Sequence, residues 1–208
     1  MFSHALRVTL ALLLFRGGPQ DFPFSVPISR ACAVAAALAS LLLMAPLIPL
    51  PLALAAAIGG VVGLAFFTRT LLRARKLENR LVQTLGAQYL SGALFALAMW
   101  PAFQALAPEL SRLLSDPAAL ERLRAGQPVD MQSPPMWATL LSDLLFFWSL
   151  AVSVRINRLA ADLAVPAGIL LTIASALVMM SFVVLAQLMA IPLMGLFGLL
   201  PAVTPAAS

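Results

Sequence analysis

Three polar side chains stand inside long apolar runs, where they could do chemistry within a membrane. Asp143 lies six residues after Trp137 in an otherwise apolar stretch. An ionised carboxylate without a partner is costly in hydrocarbon, so such a residue is a functional-site candidate by default. At the helical rise of about 1.5 Å per residue, Gln104 and Gln187 fall at a similar depth on neighbouring spans. We therefore predict an intramembrane polar cluster of Gln104, Asp143 and Gln187.

This polar cluster has two interpretations. Its side chains could form interhelical hydrogen bonds, each of which contributes about 0.6 kcal/mol in a membrane. Alternatively, they could line a substrate or proton path around Asp143 in a small transporter or channel subunit. Transporters usually contain internal repeats and paired broken helices, and the sequence shows no convincing repeat. The structural interpretation is therefore favoured, and transport remains the alternative.

No sequence pattern typical of an enzyme occurs in the 208 residues. The Gly-x-Ser-x-Gly, His-Glu-x-x-His and Walker-type glycine-rich motifs are all absent. Cys32 is the only cysteine and His4 the only histidine, which argues against an intramembrane zinc or haem site because these need several such ligands. We expect a protein that is not an enzyme and that uses no cofactor or metal.

Transmembrane helices must position the candidate residues. Apolar residues make up 62% of the chain, charged residues only 10%, against about a quarter charged in soluble domains. Five apolar runs approach or exceed the roughly 20 residues that cross a bilayer. The predicted fold is an all-α polytopic membrane helix bundle. Its five spans cover about residues 30–50, 52–68, 84–107, 136–154 and 165–191.

Residues 1–29 are predicted to form a cytoplasmic amphipathic segment at the membrane interface. Phe2, Leu6 and Leu10 lie at helical spacing, with the polar His4 and Arg7 elsewhere on the helix surface. The following stretch, 17–27, contains two glycines and three prolines, which interrupt a helix by adding freedom and removing a hydrogen-bond donor. We expect a structured turn there.

The connections between the later spans carry further predictions. The external loop 108–135 is expected to contain one short helix, with Asp116 at its N-cap, Pro117 at its first position and Gly126 beyond its end. After the fourth span, a short polar turn is predicted to hold an exposed ion pair among Arg155, Arg158 and Asp162, with Asn157 in the same turn. The fifth span should be kinked or end near Pro192, with residues 195–200 returning along the interface.

Small residues give the second span a narrow face. Gly59 and Gly63 form a Gly-x-x-x-Gly pair, which allows two membrane helices to approach closely. We expect this pair to pack within the hairpin of the first two spans, with packing against another protein as the alternative.

Positive charge predicts the orientation of the chain. Of the 13 Lys and Arg residues, ten fall in the N-terminal segment and in the connections after the second and fourth spans. The positive-inside rule then predicts a cytoplasmic N-terminus and an external C-terminus. The excess of Arg over Lys, together with much Ala, Leu and Pro, is interpreted as coding bias of a bacterial genome, which predicts a bacterial inner membrane. The basic loop after the second span could bind anionic lipid headgroups or simply set topology. It contains Arg69, Arg73, Arg75, Lys76 and Arg80.

The layout of the chain resembles the Yip-domain family of five-span membrane proteins, including its bacterial members. The shared features are an amphipathic N-terminal segment, a proline-containing linker, five spans, tight helical connections and a negligible external tail. The resemblance rests on span number and hydropathy. Separately, the stretch Arg16-Gly17-Gly18-Pro19-Gln20-Asp21-Phe22-Pro23 resembles a motif of a bacterial family and matches no named functional site. The resemblance covers nearly the whole chain and implies a membrane helix bundle without enzymatic activity. It assigns no site residues.

The sequence thus predicts a non-enzymatic scaffold or regulator of a membrane assembly or of membrane organisation. The expected partners are membrane lipids together with other membrane proteins or further copies of the chain. The net charge of +5 is interpreted as cytoplasmic loops beside anionic lipid, and no nucleic-acid binding is expected.

Overall fold

The computed structural model describes residues 2–127 and 135–196, and every regular element in these ranges is helical. Five of the helices are long and apolar enough to cross a membrane, and a shorter apolar helix precedes them. The predicted all-α bundle with five spans and an N-terminal helix is therefore confirmed. The seven α-helices are α1 (Phe2–Leu13), α2 (Val26–Met44), α3 (Leu50–Ala74), α4 (Leu81–Ser115), α5 (Pro117–Arg124), α6 (Met136–Ala160) and α7 (Val165–Leu196).

Proline marks the beginning of several helices. Pro27 and Pro51 occupy the first turns of α2 and α3, where the missing backbone N–H has no partner in any helix and the fixed φ already suits the helical backbone. The residues between α2 and α3 make a short turn that includes Pro46 and Pro49. The two helices therefore form a tight hairpin.

Two extensive helix pairs build the bundle. α2 packs along α4, and α3 packs along α7. α6 contacts both α4 and α7, which closes the arrangement, while α1 lies against α4. In lipid, backbone polar groups must be satisfied within the protein, so packed helices of this length are the expected solution.

The helices α4 and α7 run further than the sequence predicts, and both continue through prolines. α4 continues for 35 residues through Pro101 and Pro108, so the segment that we assigned to the start of an external loop is helical up to Ser115. α7 continues through Pro192 to Leu196 rather than ending at the proline. Proline is tolerated in membrane helices because neighbouring groups compensate for the lost hydrogen bond. The rest of the predicted interfacial return, 197–200, lies outside the described residues.

The short helix α5 has the boundaries that its capping residues predict. The Asp116 carboxylate accepts a hydrogen bond from the backbone N–H of Ala118 at 2.9 Å. At the other end Gly126 adopts a φ of 66°, and the Gln127 N–H donates to the carbonyl of Arg122 at 2.8 Å. A glycine in the left-handed region commonly ends a helix in this way.

The glycine pair of α3 faces α7, so our prediction that it packs within the α2–α3 hairpin is wrong. A Cβ on Gly59 would lie 2.7 Å from the backbone oxygen of Phe182, and one on Gly63 would lie 2.9 Å from the Phe182 Cβ. Phe66 extends the same contact, with its ring centroid 5.3 Å from that of Phe182. The small residues therefore set the close approach between two helices that are distant in sequence.

Replacing Gly59 with alanine should destabilise the bundle, because the added methyl group meets backbone that cannot move aside. Gly60 provides a matched control, since its Cβ would approach only Val183 and Met179 side-chain atoms, at 3.8 and 4.0 Å. We expect Gly59→Ala to cost about 1–3 kcal/mol through overpacking and Gly60→Ala to be neutral or slightly stabilising. Thermal unfolding of the purified variants in detergent measures the difference. Equal unfolding temperatures would contradict the assigned α3–α7 contact.

Candidate functional site

The structure does not join the three residues of the predicted polar cluster. Asp143 is exposed on α6, Gln104 is exposed on α4 and Gln187 is half-buried on α7. Within residues 2–127 and 135–196, no hydrogen bond links these three side chains. Ser142, beside Asp143, has a buried hydroxyl that lacks a hydrogen-bond partner. The functional role of Asp143 therefore stays a prediction.

A different set of polar side chains forms a continuous hydrogen-bonded chain across four helices. Thr68 of α3 donates to the Gln88 side-chain oxygen at 2.8 Å. Gln88 of α4 donates in turn to the Asn157 side-chain oxygen at 3.0 Å. Asn157 of α6 donates to the Thr172 hydroxyl of α7 at 3.0 Å, and that hydroxyl donates to the Gly168 carbonyl at 2.9 Å. We call these four side chains the polar relay.

Burial makes the polar relay important for packing. Asn157 is 3% exposed, Thr68 1% and Thr172 6%, and a buried polar group without a partner costs about 1–3 kcal/mol. Each of the four side chains makes at least one hydrogen bond to a side chain of another helix. The relay therefore specifies how α3, α4, α6 and α7 are aligned along their axes.

The sequence analysis missed this relay because it ended the fourth span too early. Asn157 was assigned to a polar turn, whereas α6 continues to Ala160. The signal was present, because no glycine or proline occurs between Trp137 and Ala164 to end a helix. The predicted ion pair within that turn is also wrong, since Asp162 instead pairs with Arg80 at 2.9 Å.

A cavity of about 380 Å³ adjoins the polar relay in the centre of the bundle. Gln88, Asn157 and Thr172 lie at one of its ends, and its walls come from α2, α3, α4, α6 and α7. Asp143 does not line it. We call this space the bundle cavity.

Two arginines of the basic loop make hydrogen bonds to the C-terminal end of α6. Arg80 donates to the carbonyls of Leu159 and Ala160 at 3.4 and 3.3 Å, and Arg75 donates to the Ala161 carbonyl at 3.3 Å. Cations at the C-terminus of a helix satisfy its last carbonyls and interact favourably with its dipole. These two arginines therefore cap α6, a role that the sequence did not predict.

The other three basic residues differ from this pair. Arg73 is 3.6 Å from Glu78, and both side chains are well exposed. Arg69 and Lys76 are exposed as well. An exposed ion pair contributes about 0–1 kcal/mol, so this part of the loop has little structural constraint and keeps its charge available at the surface.

The N-terminal linker is docked onto the bundle through specific contacts. The Gln83 side-chain amide donates to the backbone oxygens of Gln20 and Phe22 at 2.7 and 2.8 Å. The Phe22 ring is buried against Gly86, and a Cβ there would clash with that ring. Arg155 of α6 donates to the Gly17 carbonyl at 2.9 Å. The expected structured turn is thus held against α4 and α6.

Within the described parts of the chain, no three His, Cys, Asp or Glu side chains come together as possible metal ligands. Comparison with known proteins gives no further assignment: no protein-family model, curated protein or solved structure matches the chain.

The polar relay should respond cooperatively to mutation. Asn157→Leu removes the acceptor of the Gln88 amide and the donor to the Thr172 hydroxyl, and Gln88→Leu removes the acceptor of the Thr68 hydroxyl and the donor to Asn157. We expect each single variant to cost about 1–3 kcal/mol, and the double variant to cost less than the sum, because the second substitution removes a side chain that has already lost a hydrogen bond. Unfolding of the wild type and all three variants in detergent completes the double-mutant cycle. Strictly additive losses would contradict a connected relay.

Proposed function

We propose that this multi-pass membrane protein is a non-enzymatic scaffold or regulatory subunit, which binds another membrane protein through the outer half of α6. The observation that supports the proposal is the exposed carboxylate of Asp143. It lies in a helix of membrane-spanning length and apolar composition, among exposed apolar side chains. These neighbours are Leu140, Leu144 and Phe147.

The chemistry of Asp143 requires a partner from outside the described residues. The carboxylate lies about 9 Å along the helix from Trp137 at 1.5 Å per residue, and no hydrogen bond or ion pair to it occurs in the described ranges. The remaining segments, 128–134 and 197–208, contain no Lys, Arg or His. Intramembrane carboxylates usually pair with a cation or line a polar path. A neighbouring protein with a Lys or Arg at matching depth would meet this requirement.

The distribution of basic residues supports a cytoplasmic location for one end of the bundle. Arg155 contacts the N-terminal linker at Gly17, and Arg75 contacts the α6–α7 connection at Ala161. The three most basic segments therefore meet at one end, and the positive-inside rule favours the cytoplasm for that end. We propose a bacterial inner membrane location, with α5 and the C-terminus external.

The exposed Arg69 and Lys76 fit an additional interaction with anionic lipid headgroups, since each basic residue near such a surface contributes about 1 kcal/mol. The layout is also consistent with a bacterial member of the Yip-domain family. Both features agree with a role in membrane organisation.

A photocrosslinking amino acid at Leu144 should capture the proposed partner in intact membranes, and the same amino acid at the exposed Leu170 of α7 should not. We expect Asp143→Leu to reduce the adduct by roughly tenfold, equivalent to about 1.4 kcal/mol of binding. Glu121→Gln, which removes an exposed carboxylate from α5, is the charge-matched control and should leave the adduct unchanged. Mass spectrometry of the adduct identifies the protein. An adduct of undiminished yield in Asp143→Leu would refute the proposed contact.

A further inference from the structure

The bundle cavity has one polar end and one apolar end. Along α4 its lining runs from Gln88 and Ser91 to Phe95 and Met99, a distance of about 16 Å at the helical rise of 1.5 Å per residue. α6 runs the other way and repeats the pattern. Its Asn157 is bonded to Gln88 at the polar end, and its Phe146 lies eleven residues earlier in the lining.

A hydroxyl group in this cavity lacks a partner. Ser91 is 4% exposed, and its oxygen makes no hydrogen bond within the described residues. Ser175, on the opposite wall, is 7% exposed and carries a second hydroxyl. Both side chains line the cavity. Buried polar groups are normally satisfied, so the unpartnered Ser91 hydroxyl beside an open space points to a bound molecule that supplies the missing oxygen or donor.

The charge and volume of the cavity limit the chemical class and size of a molecule that could bind there. Among the described residues, no Asp, Glu, Lys, Arg or His lines it, so a charged headgroup would be desolvated without a counter-charge, at a large cost. The apolar end offers aromatic and thioether surface suited to hydrocarbon. A volume of about 380 Å³ falls in the range of small-molecule sites, about 300–1,000 Å³.

The cavity also reaches the surface of the bundle. Gly92 lines it and is exposed, and a Cβ at this position would meet no other described atom within 4 Å. A molecule dissolved in the bilayer therefore has access beside Gly92 without separation of the helices.

We propose that the bundle cavity is a binding site for an uncharged amphiphile drawn from the bilayer. Its hydroxyl or carbonyl head bonds to Ser91 and Ser175, and its hydrocarbon part lies against Phe95, Met99 and Phe146. This site is separate from the protein contact proposed at Asp143, because Asp143 is not part of the cavity lining.

Photolabelling of the full-length protein in phosphatidylcholine nanodiscs tests the site. The probe is a long-chain primary alcohol with a diazirine on its chain, and the comparison probe carries a carboxylate on the same chain. The alcohol should label peptides from α4 and α7 that contain Phe95 or Met179, and unlabelled alcohol should compete. The carboxylate probe should label these peptides at least several-fold less.

Four variants separate cavity binding from contact with surrounding lipid. Gly92→Phe fills open space and should lower the competable labelling roughly tenfold, whereas Ala98→Phe adds the same bulk on the exposed side of α4 and should leave labelling unchanged. Ser91→Ala should reduce labelling about five-fold through the lost hydrogen bond. Gly92→Ala introduces no clash and fills part of the same space. If Gly92→Phe does not fold, a smaller loss of competable labelling in Gly92→Ala tests the same point.

Equal labelling in the wild type, Gly92→Phe and Ser91→Ala would overturn the proposal and indicate contact with surrounding lipid only. Stronger labelling by the carboxylate probe would overturn the assignment of an uncharged head. The photocrosslinking experiment on Asp143 does not bear on this site, because Asp143 does not line the cavity. Either proposal can therefore fail while the other stands.

Discussion

A polar side chain that enters hydrocarbon loses its hydrogen bonds to water and must regain them from the protein. The polar relay from Thr68 to Thr172 meets this constraint by joining four helices through amide and hydroxyl bonds. The Tyr89 hydroxyl does the same by donating to the Val61 carbonyl of α3 at 2.8 Å. Isolated hydroxyls such as those of Thr9 and Ser181 instead bond to carbonyls within their own helices. Polar side chains in the bundle are therefore satisfied either by a neighbouring helix or by the backbone of their own helix.

Two polar side chains that lack a hydrogen-bond partner in the protein are the basis of the two binding proposals. Asp143 on the exposed surface of α6 and Ser91 in the bundle cavity both lie in helices of spanning length, and neither has a hydrogen-bond partner among the described residues. For the Asp143 carboxylate at the surface we propose a charged or strongly polar partner protein, and for the neutral Ser91 hydroxyl beside an apolar space we propose a neutral amphiphile. The same physical argument thus leads to two different proposed partners.

Hydropathy predicted the number of spans because hydrocarbon imposes a length and composition that a single sequence can display. It did not predict which helices pair. The Gly59 and Gly63 face was assigned to the neighbouring α2, but small residues fit any helix that can approach, and here that helix is α7. Asn157 was missed for a related reason: polarity near the end of a span is read as loop, although α6 continues and buries the residue. Which side chains meet across two helices depends on how each helix is rotated about its axis and aligned along it. A uniformly apolar sequence specifies both weakly.

The central claim is that the bundle crosses the membrane, since the hydrocarbon constraint applies to Asp143 and Ser91 only inside a bilayer, and we propose that its basic, linker-bearing end lies in the cytoplasm. Single cysteines at Glu78, between α3 and α4, and at Ala125, after α5, test it in a chain whose one cysteine is replaced by Cys32→Ala. Both positions are exposed. In intact bacterial cells a membrane-impermeant maleimide should label Ala125→Cys, and it should label Glu78→Cys only after lysis. Labelling of both cysteines before lysis, or of Glu78→Cys alone, would contradict the account.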